Sequence, residues 1–183
     1  MSESDILYSK DGFIFGKNSK NNYSLTFQMN NKSIILSKII DFSLIKLIYD
    51  LNGDIYEKVN VQKIDDNQVV MIMLMKHLFE DLGLPQRFSY VHIIKKYEEN
   101  KITFTSQSIY SERPDGMPEN AEQMSIKNMI CDCYIVNPHH IKFTCNIIFE
   151  DYTIVPKFAE KLVGLILFKI FNRVKQFIEN VRI

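Results

Sequence analysis

The chain of 183 residues has no tryptophan, and only six glycines, five prolines and three cysteines. So few glycines and prolines exclude collagen-like and low-complexity architectures. A small, odd number of cysteines argues against a secreted disulfide framework. Net charge is missing too, since Lys+Arg and Asp+Glu both count 22. That balance offers no bulk attraction to nucleic acid or to an acidic membrane. Long hydrophobic runs are absent: the longest, 162–168, is far short of the roughly 20 residues that cross a bilayer. The opening Met1-Ser2-Glu3-Ser4-Asp5 has neither the basic and apolar stretch of a signal peptide nor the arginines of a transit peptide. These readings predict a cytoplasmic protein in a reducing environment, one domain over 1–183 with its own core.

What is present is a long amphipathic helix at the end of a chain of hairpins. Over 156–181 the apolar residues Phe158, Leu162, Ile166, Ile170, Val174, Phe177 and Val181 recur at three- and four-residue spacing, the stripe of a helix with one buried face. Pro156 suits its first turn. A shorter helix is expected over 37–51, stopped by Asn52-Gly53. Strands are expected at 13–15, 23–27, 33–36, 58–64, 69–75, 88–97, 102–110, 129–136 and 141–149, with polar turns between them. The order is about two strands, a short helix, six or seven strands and the long helix. A terminal helix closing over a curved antiparallel sheet makes a cup. Such a cup either fills with side chains or holds a ligand.

Parity along the strands assigns faces. In the last hairpin, Cys131, Cys133 and Ile135 share a face with Ile141, Phe143, Cys145 and Ile147, while Asp132, Lys142, Thr144 and Asn146 face water. On the methionine strand, Met71, Met73 and Met75 share a face, and flexible thioethers suit an adaptable apolar interior. His92, with Phe88, Tyr90 and Ile94 on its face, is the polar candidate for that interior, joined by Ser106, Ser108 and Tyr110 from the next strand.

No reaction is written in the chain. It lacks a Gly-x-Ser-x-Gly elbow, a glycine-rich phosphate loop and a paired-carboxylate constellation. Cys131, Cys133, His139, His140 and Cys145 lie close in sequence. However, Cys-x-Cys on a strand spaces the thiols about 7 Å apart, and the Cys-x₂-Cys knuckle of zinc sites is missing. No catalytic residue, metal or cofactor is expected. The final helix carries Lys157, Lys161, Lys169, Arg173, Lys175 and Arg182 against Glu160 and Glu179, a basic surface able to touch anionic headgroups.

Several local phrases resemble the START family, the steroidogenic-acute-regulatory-related lipid-transfer domains of helix-grip fold. Residues 34–50 are similar to the family's step from a strand into its short helix. Gln86-Arg87-Phe88-Ser89-Tyr90-Val91-His92 is similar to its Arg-Asp-Phe-x-x-x-Arg strand. Residues 102–110, with Ser106 and Ser108, look like its serine-rich strand before a proline-containing loop. Val136-Asn137-Pro138 looks like a turn of the family, and 150–156 like its entry into the last helix. The resemblance spans 12–181, with His92 where the family has a cavity arginine. It implies an α+β helix-grip domain, a curved antiparallel sheet wrapped around the long helix. It also implies a non-enzymatic carrier of a lipid or other hydrophobic small molecule, with transient membrane-surface contact and no nucleic acid. The cavity residues would be Met71, Met73, Met75, Tyr90, His92, Phe104, Ser106, Cys133, Phe143, Cys145, Leu162 and Ile166. The family is gated by the final helix and a loop facing it, here Phe158 against Phe79, Leu82 and Leu84. The rival reading is a ligand-free cup serving as an accessory subunit of a larger assembly.

Overall fold

Turn chemistry sets the hairpins of the computed structural model, which describes residues 5–182. Asp11 and Gly12 both adopt positive φ, 50° and 80°, and join β1 (Asp5–Lys10) to β2 (Phe13–Ser19). Two such residues in succession match the twist of an antiparallel pair. Asn21, at φ 57°, turns the chain into β3 (Asn22–Asn30). A 3₁₀ turn, Leu36–Lys38, leads to α1 (Phe42–Asp50). Then follow β4 (Tyr56–Asp65), β5 (Gln68–Met75), β6 (Arg87–Glu98), β7 (Lys101–Ser108), the short β8 (Glu122–Gln123), β9 (Ile126–Asn137), β10 (His140–Phe149) and α2 (Lys157–Asn180).

The strands form one sheet in the order β1-β2-β3-β10-β9-β7-β6-β5-β4. Neighbours along that order are antiparallel, and β8 pairs parallel to β6 off the main path. The first three strands thus hang on the last one, and α1 carries the chain from that half of the sheet to the opposite edge. Both helices lie on one face. Alternate residues of every long strand meet them, among them Phe13, Phe15, Leu25, Phe27, Val69, Met71, Val91, Ile93, Ile141 and Cys145, with Phe168, Val174 and Ile178 of α2. The helix-grip α+β architecture is present. Residues 1–4 and 183 of the expected span lie outside the described residues.

Three expectations change. The short helix begins at Phe42 rather than Ser37, because Asp41 caps it by accepting from the Phe42 N–H. Its end is made by Asn52, whose Nδ2 donates to the Ile48 carbonyl. Residues 33–36 form no strand. Asn31 Oδ1 accepts from the N–H groups of Ser33 and Ile34 and folds the chain into a turn. A strand the sequence pattern did not reveal, β1, pairs with β2.

The long helix is also rotated in its amino half. Its buried residues there are Ala159, Glu160 and Gly164, while Phe158 stays 55% exposed and Leu162 and Ile166 are half-buried. Two causes act together. Glu160 Oε1 accepts from Lys17 Nζ at 2.5 Å and from Tyr23 Oη at 2.8 Å. Gly164 lies so close to β1 and β2 that a Cβ there would stand 2.8 Å from Tyr8 Cβ.

Candidate functional site

The inner face of the sheet is best described as rows of residues running across it. One row holds Val69, Ile93, Ser106, Met129, Ile147 and Tyr23, each opposite the next on the neighbouring strand. The next row toward the β6–β7 turn holds Lys95, Phe104, Cys131, Cys145, Leu25 and Phe15. Beyond it, Tyr97, Ile102, Cys133, Phe143 and Phe27 form a third. In the other direction stand Val61, Met71, Val91 and Ser108, and then Val59, Met73 and Ser89. The cup is therefore apolar over most of its surface, with a few polar groups in defined positions.

Of the residues expected to line the interior, Met71, Met73, Met75, Phe104, Ser106, Cys133, Phe143 and Cys145 share this inner face by register. Leu162 and Ile166 lie on the flank of α2. Tyr90 and His92 do not join them, which corrects the expectation. His92 stands opposite Val70 and Gln107 on the outer face, with Nε2 3.0 Å from Gln68 Oε1. Tyr90 packs with Ile72 against an outer cluster of Leu74, Phe88, Met117 and Ala121.

That outer cluster explains the reversal. The 109–125 segment folds back over the outside of β5 and β6. Arg113 donates to the carbonyls of Pro118 and Ala121 and lies over the Phe88 ring. Both faces of β5 are thereby covered, so its apolar run carries no parity. On β6 the inner face carries Ser89, Val91, Ile93, Lys95 and Tyr97, and the outer face Phe88, Tyr90, His92 and Ile94. Both faces mix apolar and polar residues, so parity does not tell inside from outside.

Two ion pairs sit within the cup. Lys95 Nζ donates to Asp41 Oδ1 at 2.6 Å between the rings of Phe42 and Tyr97. Burial works against the charged Lys95, but its bonds to Asp41 and Tyr97 outweigh that and raise its pKa. Glu160 is the second. Burial alone would raise its pKa, yet the hydrogen bonds from Lys17 and Tyr23 and the Lys17 charge hold it below the ordinary 4.5. A carboxyl depressed on folding stabilises the fold fully above its unfolded pKa. That contribution is lost as pH falls through the folded value. Acid titration of Glu160→Gln is therefore expected to give a flatter fall in stability below pH 4.5 than the wild type. Parallel curves would remove Glu160 from the acid response.

The thiols behave as packing groups. Cys131 Sγ and Cys145 Sγ are 2.7 Å apart on opposed strands. Hydrogen bonding to Cys145 and burial push the Cys131 thiol up, and burial does the same to Cys133. Thiols held protonated this way are poor nucleophiles. His139 and His140 sit at the β9–β10 turn with partners of their own: Nδ1 of His139 lies 2.8 Å from the Ile34 carbonyl, and Nε2 of His140 lies 2.8 Å from Gln28 Oε1.

Between β5 and β6, the 3₁₀ turn Glu80–Leu82 ends on Gly83 in the left-handed region, φ 69°. Leu82 is 51% exposed, while Phe79 and Leu84 are half-buried. Met73, Met75, Met129, Ile147 and Phe149 are likewise only half-buried. A groove of about 470 Å³ opens elsewhere. It lies between the carboxyl ends of the two helices, lined by Leu51, Arg173, Gln176, Phe177, Asn180 and Val181.

Solved structures share this architecture. The human StarD13 (DLC2) lipid transfer and protein localization domain superposes with a TM-score of 0.71 at 10% identity, over 99% of this chain and 91% of that one. The chain has the START fold. Human STARD10 gives 0.70 at 9% identity, over 98% and 76% of the two chains. A STAR-related lipid transfer protein from Xanthomonas axonopodis gives 0.66 at 10% identity, over 95% and 97%. No protein-family model and no curated protein sequence matches the chain. Among the described residues, no helix is long and apolar enough to cross a membrane.

Proposed function

We propose that this START-fold chain binds a lipid or similar hydrophobic molecule inside the cup and carries it without any covalent step. The observation that carries this reading is the apolar inner face, left half-buried at one end where Met73, Met75 and Ile147 sit on the sheet and Leu162 and Ile166 on α2. Burial of an acyl chain contributes about 0.8 kcal/mol per CH₂, enough to extract a lipid with no chemistry at all. Two of the structural neighbours are described as lipid transfer proteins or domains. Entry is controlled by the 79–85 loop and the amino half of α2. The rim meets a bilayer surface through exposed Leu82, Ile154 and Phe158, with Lys157 and Lys161 beside anionic headgroups.

Native mass spectrometry and lipid extraction of the purified chain test the carrier reading. A stoichiometric apolar ligand is expected. The gate is tested by the double variant Leu82→Asp and Leu84→Asp. It is expected to slow lipid transfer between vesicles about tenfold while the circular dichroism spectrum stays unchanged, and unaltered transfer would sink the gate. A second reading, the filled cup acting as an accessory subunit, draws support from the ring packing of Phe27, Phe143 and Phe171 inside the cup. A clean apo mass with no uptake from mixed vesicles would favour it.

A further inference from the structure

Among the described residues, two buried side-chain polar atoms have no hydrogen-bond partner, Ser89 Oγ and Ser106 Oγ. Both residues are 1% exposed. Both stand on the inner face of the cup, on β6 and β7, which are paired on each side. The surrounding backbone is therefore committed to the sheet ladder. Ser108, two positions from Ser106 on the same face, is different: its Oγ donates to the Met124 carbonyl and accepts from the Ile126 N–H. That hydroxyl belongs to the architecture, and the other two have no structural task.

Their surroundings are apolar. Ser106 lies in the row of Ile93 and Met129, and Ser89 beside Met73. The charges inside the cup are already closed: Lys95 holds Asp41, and Glu160 holds Lys17 and Tyr23. An ionised headgroup entering here would find no free counter-charge, and an unpaired buried charge is strongly disfavoured. A hydroxyl both donates and accepts. It therefore suits an alcohol or an ester carbonyl.

We infer that the cup selects lipids whose buried polar group is uncharged, a hydroxyl or ester, with Ser106 and Ser89 as its hydrogen-bonding residues. This rests on the carrier reading above. Ser106 stands opposite Ile93, four residues along β6 from Ser89, so the hydroxyls are about 14 Å apart by strand geometry. They serve polar groups at two depths of the cup.

The experiment uses the full chain and vesicles doped with matched probes. Oleyl alcohol is compared with oleate at a pH where oleate is ionised, and dioleoylglycerol with dioleoyl phosphatidate. The uncharged member of each pair is expected to bind at least about tenfold more tightly. For each uncharged probe, one of Ser106→Ala and Ser89→Ala is expected to weaken binding about five- to tenfold, the worth of one hydrogen bond, because one polar group cannot reach both hydroxyls. The melting temperature of the unloaded variants should hold or rise, since an unpartnered buried hydroxyl has been removed. Equal binding of charged and uncharged probes, or serine variants with undiminished affinity, would overturn this inference and leave the carrier reading standing. Failure of all four probes to bind would overturn both.

Discussion

Gly164→Leu is expected to lower the unfolding free energy by about 3 kcal/mol, at the upper end of what overpacking a well-filled site costs. The reason is the approach of α2 to the first two strands. A Cβ at position 164 would lie 2.8 Å from Tyr8 Cβ and 3.0 Å from Phe15 Cδ1. Tyr8 Cβ is fixed to its backbone, so the clash cannot be relieved by turning a side chain. A leucine must push the helix away from β1 and β2 and pull Glu160 off Lys17 and Tyr23. For a domain of this size the loss corresponds to a fall of about 10 °C in melting temperature. Gly164→Ala is milder, because about 1 kcal/mol of helix propensity offsets part of the strain. A leucine variant that melts with the wild type would show that the helix is not seated where described.

Asn31 gives the second large effect. Its side chain is buried and makes four hydrogen bonds. Nδ2 donates to the carbonyls of Ile178 at 2.6 Å and Val181 at 3.0 Å, and Oδ1 accepts from the N–H groups of Ser33 and Ile34. One residue thus closes the carboxyl end of α2 and shapes the turn after β3. Asn31→Ala strips all four partners at once. Buried groups left unmet cost about 1–3 kcal/mol each, and water entering the site recovers part of that, leaving a loss of about 3 kcal/mol. Asn31→Asp should be worse than alanine. A carboxylate keeps the two acceptor contacts but presents negative charge to two carbonyls at the negative end of the helix dipole. Urea unfolding of the two variants checks the order. Hydrogen exchange should quicken first at 174–181, and if protection there is unchanged the cap has been misread.

The parts of this molecule that show in its sequence share one property: a single covered face. The last hairpin alternates apolar and polar residues, so the face that Cys131 and Cys133 share with Phe143 and Cys145 can be read from parity, and the structure pairs them across it. The carboxyl half of α2 keeps a stripe through Ile170 and Val174 for the same reason, but it continues to Ile178 and leaves the expected Phe177 exposed. Where two surfaces compete, the pattern fails. β5 is covered on both sides, and β6 carries apolar residues on both faces, the outer ones under the 109–125 segment. Nothing local marks that segment as a cover, since it reads as a polar loop and contributes mainly Met117 and Ala121. The amino half of α2 is read wrongly because its buried positions, Glu160 and Gly164, are not apolar. Their burial depends on Lys17, Tyr23 and Tyr8, well over a hundred residues earlier. The two unpartnered serines are invisible in the same way, because a hydroxyl's lack of partners is a fact about its neighbours.

The pairing of β3 with β10 has a consequence for synthesis. The contact between Thr26 and Phe143 spans 117 positions of chain. As the chain leaves the ribosome, the residues of β1–β3, with Phe13, Phe15, Leu25 and Phe27 on one face of the finished sheet, emerge long before their partner strand. The free edge of β3 has no partner until β10 emerges, and α2 reaches that face only after β10. Apolar strands whose β3 edge still lacks its partner wait through most of translation, the condition in which strands pair with the wrong chain. Completion of the sheet is therefore a late, long-range event, and slow translation of the second half should raise the nascent chain's demand for chaperones.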